Sequence, residues 1–127
     1  MSDLLWQLGA METAELISKK DVSTREVIKN HLERLTEVNP KINAITRSLN
    51  DEAMEMAVLA DEKISRNEQI GPLHGVPVTI KDNVDITGQS SPNGVSKLKD
   101  NLAPANSPVV DNLLTVSYTH LRAHETG

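Results

Sequence analysis

Cysteine and phenylalanine are both absent from the 127 residues, and the aromatic rings apart from histidine are those of Trp6 and Tyr118. Without cysteine, neither disulfides nor thiolate chemistry is available. Without phenylalanine, a core must be built from Leu, Ile, Val, Ala and Met. Positive charge is also short: 13 Lys and Arg stand against 18 Asp and Glu, a net charge of −5. That balance, with no Lys/Arg cluster, argues against a nucleic-acid partner. No apolar run is long enough to span a membrane, and the first cation is Lys19, so no secretory signal is expected. The expectation is a soluble cytoplasmic protein with no membrane partner. There is no internal repeat or low-complexity tract. What remains is ordinary: 38% hydrophobic and 24% charged residues, enough for one domain or a piece of one.

The first two-thirds of the chain reads as helices. Thr13 to Lys20 is a short amphipathic segment with Leu16 and Ile17 on one side and Thr13 as its expected N-cap. Ser23-Thr24-Arg25-Glu26 is a capping box, in which the Ser23 hydroxyl accepts from the Glu26 amide and the Glu26 side chain reaches back. Val27, Ile28, His31, Leu32, Leu35 and Val38 follow at helical spacing, and Asn39-Pro40 is expected to end that helix. Ile42 to Thr46 reads as a strand. Asn50 or Asp51 should cap a third helix carrying Ala53, Met56, Ala57, Ala60 and Ile64 on one face. Small residues on that face predict close packing against something flat, such as a sheet.

The texture changes after Asn67. Gly71 to Asn83 reads G-P-L-H-G-V-P-V-T-I-K-D-N: a Gly/Pro-punctuated loop feeding a β-branched run, Val76 to Ile80, with Lys81 at its end. A lysine at the end of a buried strand is costly to keep charged, so it is either solvated or used. Asp82 to Ser96 reads as loop, with Val84 to Ile86 as a short extended piece and Pro92-Asn93-Gly94 as a turn. Ser107-Pro108 looks like an N-cap followed by proline at the first helical position, and Val109, Val110, Leu113 and Leu114 begin an apolar face. Helices, a buried strand and an unfinished helix imply an α/β layer architecture that is incomplete in this chain.

The stretch Gly71 to Asn83 closely resembles the N-terminal motif of the amidase signature family. The resemblance extends to D-L-L-W-Q-L-G-A (Asp3 to Ala10), V-S-T-R-E-V (Val22 to Val27), V-N-P-K-I-N-A (Val38 to Ala44), V-D-I-T-G (Val84 to Gly88) and S-P-V-V-D-N-L-L (Ser107 to Leu114). It covers residues 3–114; the lysine motif is the specific part and the helical segments alone are weak. Members of this family hydrolyse carboxamides with a serine–serine–lysine triad on a mixed sheet flanked by helices. The resemblance therefore implies that Lys81 is the triad lysine, taking a proton from a bridging serine that in turn activates the nucleophile. A lysine acts as a base only as the neutral amine, a form that desolvation favours. The implied partner is a small-molecule amide. No cofactor is implied, and oligomeric state is left open.

The chain departs from the family where the serines should be. The Gly/Ser-rich stretch carrying the bridging serine, the oxyanion-hole amides and the nucleophile is not here. Gly88-Gln89-Ser90-Ser91 is the nearest imitation, and it reads as a turn. Beyond Leu114, Val116 to Thr126 (V-S-Y-T-H-L-R-A-H-E-T) resembles a translated reading frame of a sequencing-library adapter. The expectation is an N-terminal portion of an amidase domain over residues 1–114 and a non-native tail over 115–127. His120 and His124 stand four apart, as on a zinc-binding helix, but the general-base glutamate between them and a third ligand are missing, so no metal site is expected.

Plainer roles are set against each of these. Most lysines after a strand are solvated surface residues, and the flanking Gly75-Val76-Pro77 and Asp82-Asn83 are what separate Lys81 from them. Asp82 either pairs with Lys81 or stabilises the turn. His74 reads as a loop-structuring hydrogen bonder ahead of a cleft-lining group, His31 as a packed or half-exposed histidine, and Trp6 as a packing anchor. Three functions compete: the N-terminal part of an amidase, inactive as it stands; the amidase subunit of a glutamine-dependent tRNA amidotransferase; and a non-catalytic helical binding module. The D-L-L-W-Q-L-G-A opening favours the first.

Overall fold

The second helix starts where the capping box puts it. Glu26 N donates to Ser23 Oγ at 3.1 Å and Ser23 N donates to Glu26 Oε2 at 2.9 Å, so two amides that a helix start leaves unpaired are satisfied reciprocally. In the computed structural model, which describes residues 2–81, 83–90, 97, 100–115 and 119–123, the order is a 3-10 segment Ser2–Gln7, α1 (Ala10–Ser18), α2 (Thr24–Ile42), α3 (Asn50–Ser65), β1 (Pro77–Lys81), α4 (Pro108–Thr115) and β2 (Thr119–Ala123). The chain is α/β, as its pattern predicts. β1 and β2 pair in parallel, Pro77 opposite Thr119 and Lys81 opposite Ala123.

Several boundaries differ from those expected. α1 begins at Ala10 with Gly9 as N-cap. Thr13 lies inside it, buried, its hydroxyl donating to Gly9 O at 2.9 Å, so its oxygen bonds backward into the helix and does not cap the start. α2 runs through Pro40 to Ile42. The expected stop fails because Asn39 is held from elsewhere: its side chain donates to Ile45 O and accepts from Ile45 N, both at 2.9 Å. The helix ends instead at Asn43, in the left-handed conformation with φ 48°, its amide bonded to Asn39 O at 2.7 Å. This clamp makes residues 43–47 a reversal, and the strand expected over Ile42 to Thr46 does not form. Leu49, not Asn50 or Asp51, is the N-cap of α3, without a side-chain hydrogen bond. Val84 to Ile86 is irregular backbone. Pro108 does open α4, and Ser107 Oγ accepts from Val110 N at 3.5 Å. The Pro92-Asn93-Gly94 turn lies outside the described residues.

Among the described residues, three small cores hold these elements. Leu5, Ile17 and Val27 join the N-terminal segment, α1 and α2, with Leu8, Leu16, Val22 and Ile64 around them. Ile28 of α2 packs on Ala53 and Ala57 of α3, with Leu32 and Met54 alongside. The alanine face therefore meets α2, where small side chains let two helix axes approach closely, and α3 also contacts the sheet at β2, as expected of it. Ile80, Ile86 and Val110 form the third core beneath β1, with Val78, Val84 and Leu113 packed against it. Burying one such branched side chain contributes about 1.5–3 kcal/mol. Trp6 anchors the N-terminus as expected: Arg34 lies 4.2 Å over its ring, and its amide donates to Asn30 Oδ1 at 2.9 Å.

Gly75 is where the helical part meets the strand. Its φ is +81°, and a Cβ built on it would sit 2.5 Å from Thr24 Oγ1 and 3.0 Å from Thr24 Cγ2. Gly88 has a similar φ of +77° but open space around it. Gly75→Ala should therefore cost about 2–4 kcal/mol, from backbone strain plus overlap, and Gly88→Ala only about 1 kcal/mol from strain alone. Urea titrations of the two variants followed by far-ultraviolet circular dichroism compare them directly; equal midpoints would contradict the packing at Thr24.

Candidate functional site

β1 carries its residues in the alternation of a half-buried strand. Ile80 is buried, Val78 half-buried and Thr79 exposed, with Val76 buried just before the strand. Successive side chains point to opposite faces, so Lys81, the last residue of the strand, faces away from Ile80 and is half-buried. The backbone turns at once: Val84 N donates to Lys81 O at 3.1 Å. Asp82, weighed above as a partner for Lys81, lies outside the described residues.

The loop that delivers β1 is tied down on two sides. His74 is buried, and its Nε2 lies 2.9 Å from Ala60 O in α3. A carbonyl only accepts, so Nε2 carries the proton. The other ring nitrogen, Nδ1, is buried without a hydrogen-bond partner, as is Thr24 Oγ1. Local turns complete the loop, with His74 N bonded to Gly71 O at 3.2 Å and Val76 N to Leu73 O at 3.1 Å. The loop-structuring reading of His74 is the one the geometry supports. His31, half-buried on α2, bonds Val27 O through Nδ1 at 2.8 Å and plays a local helical part.

The segment after Lys81 folds back on residues 101–107. Gly88 N bonds Ala103 O and Ala103 N bonds Gln89 O, both at 2.9 Å, and Ser90 forms an antiparallel bridge with Leu102. Asn106 Oδ1 accepts from Thr87 N at 2.7 Å and from Thr87 Oγ1 at 3.0 Å. Ser90 is 1% exposed. The Arg47 guanidinium reaches it from the α2–α3 connection, donating through Nη2 to Ser90 Oγ and through Nη1 to Gln89 Oε1 at 2.8 Å. A hydroxyl buried this deeply and engaged by a guanidinium is a joint between two loops. Ser91 lies outside the described residues.

Ile80, Ile86 and Val110 thus pack the Lys81 strand against α4 and against the segment that leads on to Ser90. Sequence reasoning missed Arg47 and Asp61. Asp61 Oδ1 accepts from Thr24 N at 2.6 Å, and its Oδ2 accepts from Arg25 N at 3.2 Å and Arg25 Nε at 2.9 Å. Both contacts span more than 30 residues of sequence, and nothing local signals them. Of the hollows lined by described residues, one of about 470 Å³ lies between α2 and α3 against Lys29, Leu32, Glu33, Thr36 and Met54. Another, of about 390 Å³, is walled partly by Ile17, Val22, Asp61 and Ile64. Lys81 lines neither. Residues 119–123, which include His120, are extended, not helical; His124 lies outside the described residues.

A helical layer delivering one lysine-tipped strand is a recognisable class of structure. A solved bacterial aryl acylamidase of the amidase signature enzymes superimposes with a TM-score of 0.86 at 29% identity, over 91% of this chain and 25% of that one. The fold is the amidase signature α/β fold, represented here in part. The sequence profile of the Amidase family matches residues 26–119, and the chain belongs to that family. It is 43% identical to an indoleacetamide hydrolase from Bradyrhizobium diazoefficiens over 109 residues, 86% of this chain and 21% of the relative. It is 41% identical to the A subunit of the glutamyl-tRNA(Gln) amidotransferase of Thermoanaerobacter pseudethanolicus over 110 residues, 87% of this chain and 22% of the relative. The chain spans about a fifth of the length of these relatives.

The Arg47 joint makes a prediction. Arg47→Met removes two charge-assisted hydrogen bonds and should destabilise the 84–103 region by about 1.5–3 kcal/mol, while Arg47→Lys should recover only part of that, lacking the fork geometry. Hydrogen exchange at the Gly88 and Ala103 amides reads the effect. Unchanged exchange in Arg47→Met would show that the joint holds nothing.

Proposed function

We propose that the chain is the N-terminal portion of a cytoplasmic amidase that hydrolyses a carboxamide C–N bond, with Lys81 as the lysine of a Ser-Ser-Lys triad whose serines lie outside this chain. The observation that carries the reading is the position of Lys81: the last residue of a strand whose opposite face is buried, directly after the G-P-L-H-G-V-P-V-T-I run. In the proposed cycle the neutral amine accepts the proton of a bridging serine. That serine relays the proton from the nucleophile as the nucleophile attacks the amide carbon. The acyl-enzyme forms as the C–N bond breaks and the amine leaves with a proton. Water then releases the acid. A lysine without its nucleophile and oxyanion donors performs none of these steps, so the 127-residue chain is inactive by itself.

The amide in question is a small molecule, and similarity to the indoleacetamide hydrolase makes an arylacetamide the first substrate to try. The second reading, the amidase component of a glutamine-dependent amidotransferase, is favoured by the nearly equal 41% identity to its counterpart in Thermoanaerobacter pseudethanolicus. It differs in drawing ammonia from glutamine and delivering it to a charged tRNA with partner subunits.

The test is a transplant. The indoleacetamide hydrolase with its matched segment replaced by that of this chain should hydrolyse indoleacetamide, and Lys81→Met in that chimera should lower kcat by about 10³-fold or more. Turnover of Lys81→Met within tenfold of the unaltered chimera would rule Lys81 out as a triad member. A serine-directed fluorophosphonate should leave the 127-residue chain unlabelled. Labelling that disappears in Ser90→Ala would give that serine a role denied to it above.

A further inference from the structure

We propose that His74 is a positioning residue for Lys81: its Nε2–H bond to Ala60 O fixes the phase in which β1 leaves the helical layer, and so which face of the strand the lysine takes. The consequence for catalysis rests on the proposed role of Lys81; the anchoring does not. A strand alternates faces residue by residue, so a slip of one position would exchange Lys81 with Ile80. Hydrophobic burial of Ile80 against Ile86 and Val110 resists the slip from one end. At the other end two contacts fix where the strand can begin. The first is the His74 bond to α3, 2.9 Å long and made by a side chain that is 4% exposed. The second is Gly75, which at φ +81° presses so closely on Thr24 that no side chain fits between them. Six residues separate His74 from Lys81, and the strand Pro77–Lys81 makes up most of that path. A strand is stiff along its length, so an anchor at its base sets the direction of its tip.

The anchor is chemically specific. Ala60 O can only accept, so the ring must hold its proton on Nε2, leaving Nδ1, which has no hydrogen-bond partner, as a bare lone pair. The donor that matters is thus the distal one, at the depth of a glutamine amide nitrogen. An asparagine amide reaches only as far as Nδ1. His74→Gln should therefore preserve the anchor and His74→Asn should lose it, although both are small polar amides.

The experiment is nuclear magnetic resonance on the full 127-residue chain labelled with 15N-histidine and 13C-lysine. The long-range 15N–1H pattern of His74 should be that of the Nε2–H tautomer. In His74→Gln the Lys81 Cε–Hε resonance should stay in place, and exchange of the Val78 to Lys81 amides should remain within about threefold of the parent. In His74→Asn the resonance should move, and those amides should exchange about tenfold or more faster, with the α1 amides unaffected. A proton on Nδ1 would overturn the proposal. So would equal behaviour of the Gln and Asn variants, a stationary Lys81 resonance in His74→Asn, or accelerated exchange spread evenly through α1 and α2. None of these readouts measures hydrolysis. A failed anchor is therefore distinguishable from a failed assignment of Lys81, which the chimera decides.

Discussion

Two consecutive residues of α3 hold the molecule together. The Asp61 carboxylate accepts the first amides of α2 and the side chain of Arg25, filling the positive end of that helix with a negative group. One residue earlier, the Ala60 carbonyl accepts a hydrogen bond from His74 Nε2–H and ties down the loop before β1. Thr24, the residue whose amide Asp61 receives, is also the one that Gly75 presses against. The start of α2, the later turns of α3 and the base of the strand are therefore one junction, and a change in any of them is felt at the other two. The apolar cores on either side are small, each built on three buried side chains. The polar junction between them decides their relative placement.

That arrangement suits the proposed role of β1, which is to present Lys81. Burial of Ile80 turns one face of β1 inward, and the pleat sends Lys81 to the other face. The helical layer behaves as a platform whose output is the direction and phase of one strand. Beyond Lys81 the chain is gathered by a second polar joint, Arg47 with Ser90 and Gln89, again linking a segment between helices to a loop far along the sequence. Both joints use a geometrically demanding group, a buried imidazole in one case and the guanidinium of a half-buried arginine in the other. Such groups tolerate few arrangements, and so they specify position better than apolar contact alone.

Much of the helical part was legible because its signals are local. The capping box at Ser23 and Glu26 reads directly from four residues, the α2 stripe from its spacing, and Pro108 from the preference of proline for a first helical turn. The misreadings arise where contacts or backbone already set nearby override a preference read from single residues. Pro40 should end α2 at Asn39, but the Asn39 side chain clamps Ile45 and the helix persists to Ile42. The same clamp turns an expected strand into a reversal. Thr13 has the composition of a cap, but the turn before it was already helical. The alanines of α3 signal close packing correctly and say nothing about whether the neighbour is a sheet or a helix.

The sequence by itself determined the helices, the strand, the α/β class, the place of Lys81 at a strand end and the family likeness of the stretch around it. All of these depend on periods and motifs within about a dozen residues, where backbone preference and hydrophobic alternation act directly. Only the tertiary structure decided that Asp61 caps a helix 36 residues away, that Arg47 reaches Ser90 across 43, and that His74 donates a hydrogen bond to Ala60 across 14. Those pairings come from how the packed helices bring a donor and an acceptor together. A buried polar group must find whichever partner the fold places beside it, and no local pattern of residues encodes which one that will be.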